Sequence, residues 1–261
     1  MKKDILLKEE EKEIQEIREF DFEKEIDFEK YEREFDWIYR NNLSTKLPIK
    51  STVIKIKEMQ NDGVDYFELG KKEIGIAEIV PSFMENEERV SASRRGTLMH
   101  LFLQKLDLKR TYSKEELEDL KQELIAKKMI SEEESDFINI FKIQNFLNSK
   151  LAEKIKQALI IEKEKAFCIK IKAKEVFEEA NDESILVQGI IDLYAVFEDG
   201  KILLLDYKTD YVELGNEEML IKKYKNQLKI YKQALEEALD KKVEDVYIYS
   251  LYLNKEIKIC D

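Results

Sequence analysis

Two adjacent segments constrain this chain more than anything else in it: ILVQGIIDLYAVF (185–197) and KILLLDYKT (201–209). Each is apolar at odd and even positions alike. Because a strand shows a new face at every residue, both faces of each segment must be covered. Asp199-Gly200 between them is a hairpin turn signal. The sheet so defined needs helices on both sides, and the chain has only 7 Gly and 2 Pro, too few for an all-β protein. The expectation is an α/β (α+β) fold with a central mixed sheet flanked by helices.

The rest of the chain supplies those elements. Residues 4–40 place Ile14, Ile17, Phe20, Phe28, Tyr31, Phe35 and Ile38 at three- and four-residue intervals, the pattern of an N-terminal helical arm. Pro48 ends it, and the stretch that follows carries an NDG turn signal but no clear period. A helix is expected from Ala92. Ser113 with Glu116 and Ser131 with Glu134 fit the reciprocal capping box and mark two more helix starts. Residues 149–161 read as a further helix. FCIKIKAK (167–174) alternates like a half-exposed strand, 223–239 is amphipathic at helical spacing, and VYIYSLYL (246–253) reads as a last strand. The organisation is an arm and linker over 1–48 and one domain over 49–261.

No apolar run approaches the roughly 20 residues of a membrane span, and the N-terminus lacks a signal-peptide core. Cys168 and Cys260 stand far apart, so neither a four-cysteine zinc site nor an iron–sulfur cluster is expected, and the compartment expected is the cytoplasm. The net charge of −12 argues weakly against a nucleic-acid partner, because residues 1–36 hold 15 acidic and 8 basic side chains. Residues 222–232 carry five lysines and no acid.

Asp192 lies inside one of the two apolar strands and Asp206 near the end of the other, with Lys208 two residues on. A buried carboxylate is costly unless it is paired or meets a cation. Two carboxylates and a lysine on one sheet face suit Mg²⁺, a hard ion that prefers oxygen ligands, with Lys208 left to orient water and offset charge on a phosphate. A bare D-x-K is more often a structural ion pair; Asp192 and the hairpin strengthen the catalytic reading. Register decides it. A two-residue loop sets Asp192 opposite Tyr207 and turns it away from Asp206. A three-residue loop, Glu198-Asp199-Gly200, sets Asp192 opposite Asp206 on one face, with Gly200 at positive φ. A bulge elsewhere could produce the same shift.

Weaker features join this site. His100, the chain's one histidine, follows Gly96 by four residues on one helix face. Gln227 and Tyr231 repeat that spacing on the lysine-rich helix, where Lys223, Lys225 and Lys229 suit a phosphate backbone. Arg94 and Arg95 could extend the basic track. Glu164, just before FCIKIK, is a further candidate carboxylate. Each of these alone is as easily a core or surface residue.

In order, Gly96/His100, Gly189/Asp192, Asp206-Tyr207-Lys208-Thr209-Asp210 and Gln227/Tyr231 resemble the G-x-x-x-H, G-x-x-D, D-Y-K-T-D and Q-x-x-x-Y series of RecB-type PD-(D/E)xK nucleases. RRGTLMHLFLQKLD, EKAF and VYIYSLYL are similar to the C-terminal nuclease domain of the AddA-type helicase–nuclease subunits, with Ala166 standing where that family has proline. The resemblance runs from about Pro81 to the C-terminus. It implies a restriction-endonuclease-like fold and a metal-dependent deoxyribonuclease, an exonuclease of double-strand-break repair. It implies His100, Asp192, Asp206 and the Tyr207 carbonyl as ligands of Mg²⁺ or Mn²⁺, Lys208 as catalytic, and Gln227 and Tyr231 as lining the site. The implied partners are DNA, an AddA helicase portion and an AddB-type subunit, with no membrane. No Walker A sequence occurs, so no ATP site is expected in this chain. The alternatives are a non-catalytic DNA-binding or partner module of the same fold, and a structure-selective endonuclease.

Overall fold

In a computed structural model of the protein, residues 48–56, 87–177 and 182–259 are described, with side chains from residue 94 in the second stretch. The expected arm, the NDG turn and Cys260 lie outside them. All described residues belong to one compact unit spanning 46–261.

The elements are β1 (Lys50–Thr52), α1 (Glu87–Lys105), α2 (Lys114–Ala126), α3 (Glu132–Ser135), α4 (Ile140–Leu147), α5 (Lys150–Lys156), β2 (Ile160–Lys172), β3 (Ser184–Val196), β4 (Ile202–Lys208), α6 (Glu218–Leu239), β5 (Val243–Ser250) and β6 (Lys255–Lys258). Both capping boxes form: the Ser113 and Ser131 hydroxyls accept from the N3 backbone, and Glu116 and Glu134 reach back to the cap. Several edges differ from the sequence reading, among them the start of α6, at Glu218 rather than at residue 223. The first helix starts at Glu87 rather than Ala92, on polar residues that carry no apolar rhythm. The helix expected over 149–161 ends at Lys156, and β2 begins at Ile160; Ala158 and Leu159 continue the helical spacing of Ile155, but pairing with β3 overrides it, Leu159 donating its N–H to the Val196 carbonyl. The last expected strand, 246–253, is β5 and runs from Val243 to Ser250, and a further strand, β6, follows it after a turn in which Asn254, at φ 51°, takes the left-handed conformation without a glycine.

The sheet is mixed. β3 is central, pairing β2 antiparallel along its whole length, β1 parallel near its start and β4 antiparallel at its end; β4 then pairs β5 in parallel, and β5 pairs β6. Two cores lie on opposite faces. Ile202 and Leu204 of β4 pack with Tyr224, Leu228, Tyr231 and Leu235 of α6. Leu203, Leu205 and Tyr207 pack with α1, α4 and α5 through Phe102, Phe146 and Ile155. Both faces of β4 are therefore covered, as its unbroken apolar run requires.

One irregularity positions the site. In β3, Ile191 belongs to the α6 core and Leu193 to the other, although residues two apart in a strand share a face. In β2, Ile169 and Ile171 lie in the α6 core while Ile161 packs against the opposite one. Both strands change face at the same point. The register Lys163–Leu193 and Lys165–Ile191 is kept, and Glu164 and Asp192 between them are left out of the ladder, Glu164 at φ 49°. A non-glycine residue in that conformation is strained, and here the strain accompanies two acids at matching positions.

Candidate active site

The β3–β4 hairpin closes with the expected three-residue loop: Leu193 faces Leu205, Tyr194 faces Leu204, Phe197 donates its N–H to the Lys201 carbonyl, and Gly200 has φ 82°. The ladder ends at Leu193–Leu205, one pair short of Asp192 and Asp206. Beyond it the strands part, β4 continuing along β5 through Asp206–Ile248 and Lys208–Ser250. Asp192 bridges the gap with its side chain, Oδ2 accepting the Tyr207 N–H at 2.8 Å. The N–H and carbonyl of a strand residue point to the same edge, so the Tyr207 carbonyl turns into this gap.

On the α6 side, Asp206 is buried. Its Oδ1 accepts from Gln227 Nε2 at 3.0 Å, and the same nitrogen donates to Tyr231 Oη at 3.1 Å. Lys208 Nζ pairs with Oδ2 at 2.6 Å. Burial pushes the Asp206 carboxyl up to about 6; the Lys208 ammonium lowers it and the Asp192 charge raises it. Lys208 is held above the ordinary lysine range, Asp206 and Asp192 overcoming its burial.

On the other side, α1 brings His100 Nδ1 to 3.4 Å from Asp192 Oδ1. Burial opposes a charge on His100, but the bond and charge of Asp192, with Asp206 behind it, hold it above the usual value. Burial likewise disfavours charge on Asp192, yet His100, Lys208 and the Tyr207 N–H keep its carboxyl low. Glu164 is raised, by burial and then by Asp192. His100, Glu164 and Asp192 each offer a ligand atom, all within 4.8 Å of one another. Asp206 stands outside that tightest group, its carboxylate engaged by Gln227 and Lys208. Glu164, which the sequence offered only as a further candidate, stands inside it.

Two glycines of the motif series are explained by close approach. A Cβ on Gly96 would lie 3.2 Å from Thr209 Oγ1, and one on Gly189 would lie 2.8 Å from the Phe167 ring. Phe167 in turn packs edge-on against Tyr231, centroids 5.5 Å apart. The glycine positions thus let α1 close on the end of β4 and β2 on β3.

The basic residues do not form one track. Arg94 is tied to Glu134 at the start of α3, Nε to Oε1 at 2.7 Å. Arg95 lies over the Phe137 ring at 5.8 Å. Lys223 pairs with Asp210 beside the site. Lys225 and Lys229 are exposed, and at about 100° per residue they project opposite to Gln227, away from the acids. Clustering in sequence spreads around a helix in space.

Two contributors escaped the sequence reading. Tyr224 places its ring 4.3 Å from Lys208 Nζ and donates its hydroxyl to Asp210 Oδ2 at 2.7 Å; its spacing three residues before Gln227 was the available signal. Lys163 donates to the Gln104 carbonyl at 2.6 Å and to that of Leu106. It thereby ties the C-terminal end of α1 to the strand that carries Glu164, and nothing in the sequence marks it.

Parted central strands, with an acid on one and D-x-K on the other, define a nuclease-type site on a mixed sheet. Residues 72–258 match the PD-(D/E)XK nuclease superfamily, and the chain belongs to that family. Within it, the chain is similar to the large ATP-dependent helicase/nuclease polypeptides designated A. That of Thermoanaerobacter sp. (strain X514) is 33% identical over 98% of this chain and 21% of the relative. Those of Clostridium novyi (strain NT) and Clostridium botulinum (strain Hall) are 34% and 36% identical, each over 85% of this chain and 18% and 17% of the relative. The chain spans about a fifth of the length of these relatives.

Proposed function

We propose that the chain is a metal-dependent deoxyribonuclease module hydrolysing phosphodiester bonds at the cleft between β3 and β4. The observation that carries this reading is the junction of the His100–Glu164–Asp192 group with the buried Asp206–Lys208 pair. Two carboxylates and an imidazole with ligand atoms within 4.8 Å of one another fit a small divalent cation, Mg²⁺ or Mn²⁺. His100, Asp192 and Glu164 would hold it, with Asp206 and the Tyr207 carbonyl facing the same gap. Such a cation, when bound, lowers the pKa of water and neutralises charge on the phosphate.

The chain's own residues do the rest. Lys208, fixed between Asp206 and the Tyr224 ring, presents an ammonium that orients the attacking water and offsets charge building on the phosphate oxygens. Gln227 fixes the rotation of Asp206 and is itself held by Tyr231. The similarity to the helicase/nuclease relatives supports a place in a helicase–nuclease of bacterial double-strand-break repair, in the cytoplasm, beside a helicase portion and an AddB-type subunit. No helix among the described residues is long and apolar enough to cross a membrane. Labelled linear and circular DNA incubated with Mg²⁺, Mn²⁺ or EDTA tests the reading. Cation-dependent loss of linear DNA that Lys208→Ala abolishes is the expected result; wild-type rates in that variant would overturn it. Cleavage of the circle as well would favour an endonuclease.

A further inference from the structure

Next to the catalytic strand lies an open cleft of about 950 Å³, lined by Thr209 and Asp210 at the end of β4, by Arg95 and Met99 of α1, and by Phe137, Lys142, Tyr211 and Tyr252. It begins where the site ends, since Thr209 follows Lys208 directly. Tyr211 and Tyr252 are 66% and 40% exposed, large rings for a surface to leave uncovered. They meet edge to face with centroids 4.8 Å apart, and Lys142 Nζ lies 5.1 Å from the Tyr252 centroid. Across the cleft Arg95 covers Phe137.

Aromatic faces interleaved with cations are the chemistry that holds unpaired bases and their backbone, because every base has a π face and every link a phosphate. Burial and then the neighbouring Arg95 charge hold Lys142 below the ordinary lysine range. Two like charges converge there, an arrangement that an anion between them relieves. Of the two acids on the wall, Asp136 and Asp210, Asp210 is occupied by Lys223 and the Tyr224 hydroxyl. A duplex keeps its bases stacked on one another and cannot offer them to Tyr211 or Tyr252.

We infer that this cleft is a subsite for an unpaired nucleotide of the substrate strand, its phosphate between Arg95 and Lys142 and its base against Tyr252 and Tyr211. The inference rests on the nuclease reading for the bound strand being the one that is cut, but not for the binding itself.

The test is fluorescence anisotropy in EDTA, with labelled single-stranded oligothymidylate and a blunt duplex of equal length, on the full chain. Tyr252→Ala should weaken single-strand binding by roughly five- to a hundredfold, the range for one lost base–aromatic stack, and Lys142→Gln should weaken it and reduce its salt dependence, as the loss of one phosphate contact does. Duplex binding should change far less, and Tyr252→Phe should restore the affinity. Circular dichroism matching wild type shows that the variants fold. Asp206→Asn should bind the single strand as wild type does while losing cleavage in Mg²⁺. Unchanged single-strand binding in both cleft variants, equal losses for duplex and single strand, or no single-strand binding by wild type would each overturn the inference. A wild-type chain that cleaves no DNA but loses single-strand binding in the variants would instead sink the nuclease reading and leave the subsite standing.

Discussion

Asp192 accepts the backbone N–H of Tyr207 at 2.8 Å, so one carboxylate both closes the gap between the parted strands and faces His100. Its two oxygens do different work, and two substitutions should separate them. Asp192→Asn keeps an acceptor for Tyr207 and loses the charge. Asp192→Ala also leaves that N–H unsatisfied, at about 1–3 kcal/mol.

Both variants should therefore lose cleavage, while only Asp192→Ala melts markedly below wild type in EDTA. Saturating Mg²⁺ or Mn²⁺, at a hundred times its Kd, should stabilise wild type by about 2.7 kcal/mol and neither variant. Equal cation-induced melting shifts in wild type and Asp192→Asn, followed by calorimetry, would remove Asp192 from the ligand set.

Burial raises Asp206 to about 6 from an ordinary 3.8. The folded chain thus holds this proton more tightly than the unfolded chain does. The stabilisation is complete below about pH 3.8 and is lost as the pH rises through about 6. Lys208 stays charged throughout, being held above its ordinary value. The melting temperature of Asp206→Asn minus that of wild type should therefore climb between pH 4 and pH 7 in EDTA, whatever its absolute sign. A flat difference would show that Asp206 carries no burial cost.

Gly189 and Gly96 should respond differently to alanine. At Gly189 the new methyl meets the Phe167 ring at 2.8 Å and Val53 at 3.1 Å, and overpacking of this kind costs about 1–3 kcal/mol. The displaced ring bears on Tyr231, and through Gln227 on Asp206, so cleavage should fall with stability. At Gly96 the contact is 3.2 Å to Thr209 Oγ1, and alanine gains about 1 kcal/mol of helix propensity. Gly96→Ala should be near neutral in stability. Urea titrations that rank the two variants the other way round would contradict the packing described.

The lysines of α6 should divide in the same way as their positions. DNA affinity falls linearly with the logarithm of salt, with a slope set by the phosphates neutralised. Lys223→Ala, beside Asp210 at the site, should reduce that slope, whereas Lys225→Ala with Lys229→Ala should leave it unchanged. A smaller slope in the double variant would mean that DNA reaches the outward face of α6.

Local chemistry was legible in the sequence wherever a signal is carried by neighbours in the chain. The capping boxes at Ser113 and Ser131, the doubly covered strand β4, and the glycine at positive φ in a three-residue loop follow from spacing, since turn and strand geometry tie each residue to the next; β3, read as covered on both faces throughout, instead leaves Leu186 and Ile190 exposed in its first half. The same reasoning placed Asp192, Asp206 and Lys208 together, because loop length fixes register and register fixes which side chains share a face. What the chain alone does not encode locally is where long-range pairing stops. Only the folded sheet parts β3 from β4 after Leu193–Leu205, drops Glu164 and Asp192 from the ladder at one point, and so sets Glu164 rather than Asp206 beside His100. The lysines of α6 and the aromatic cleft behind Thr209 are of the same kind. Rotation around a helix and the approach of α1 and α4 decide which charges and rings meet, and those contacts join residues far apart in the sequence, where no local periodicity records them.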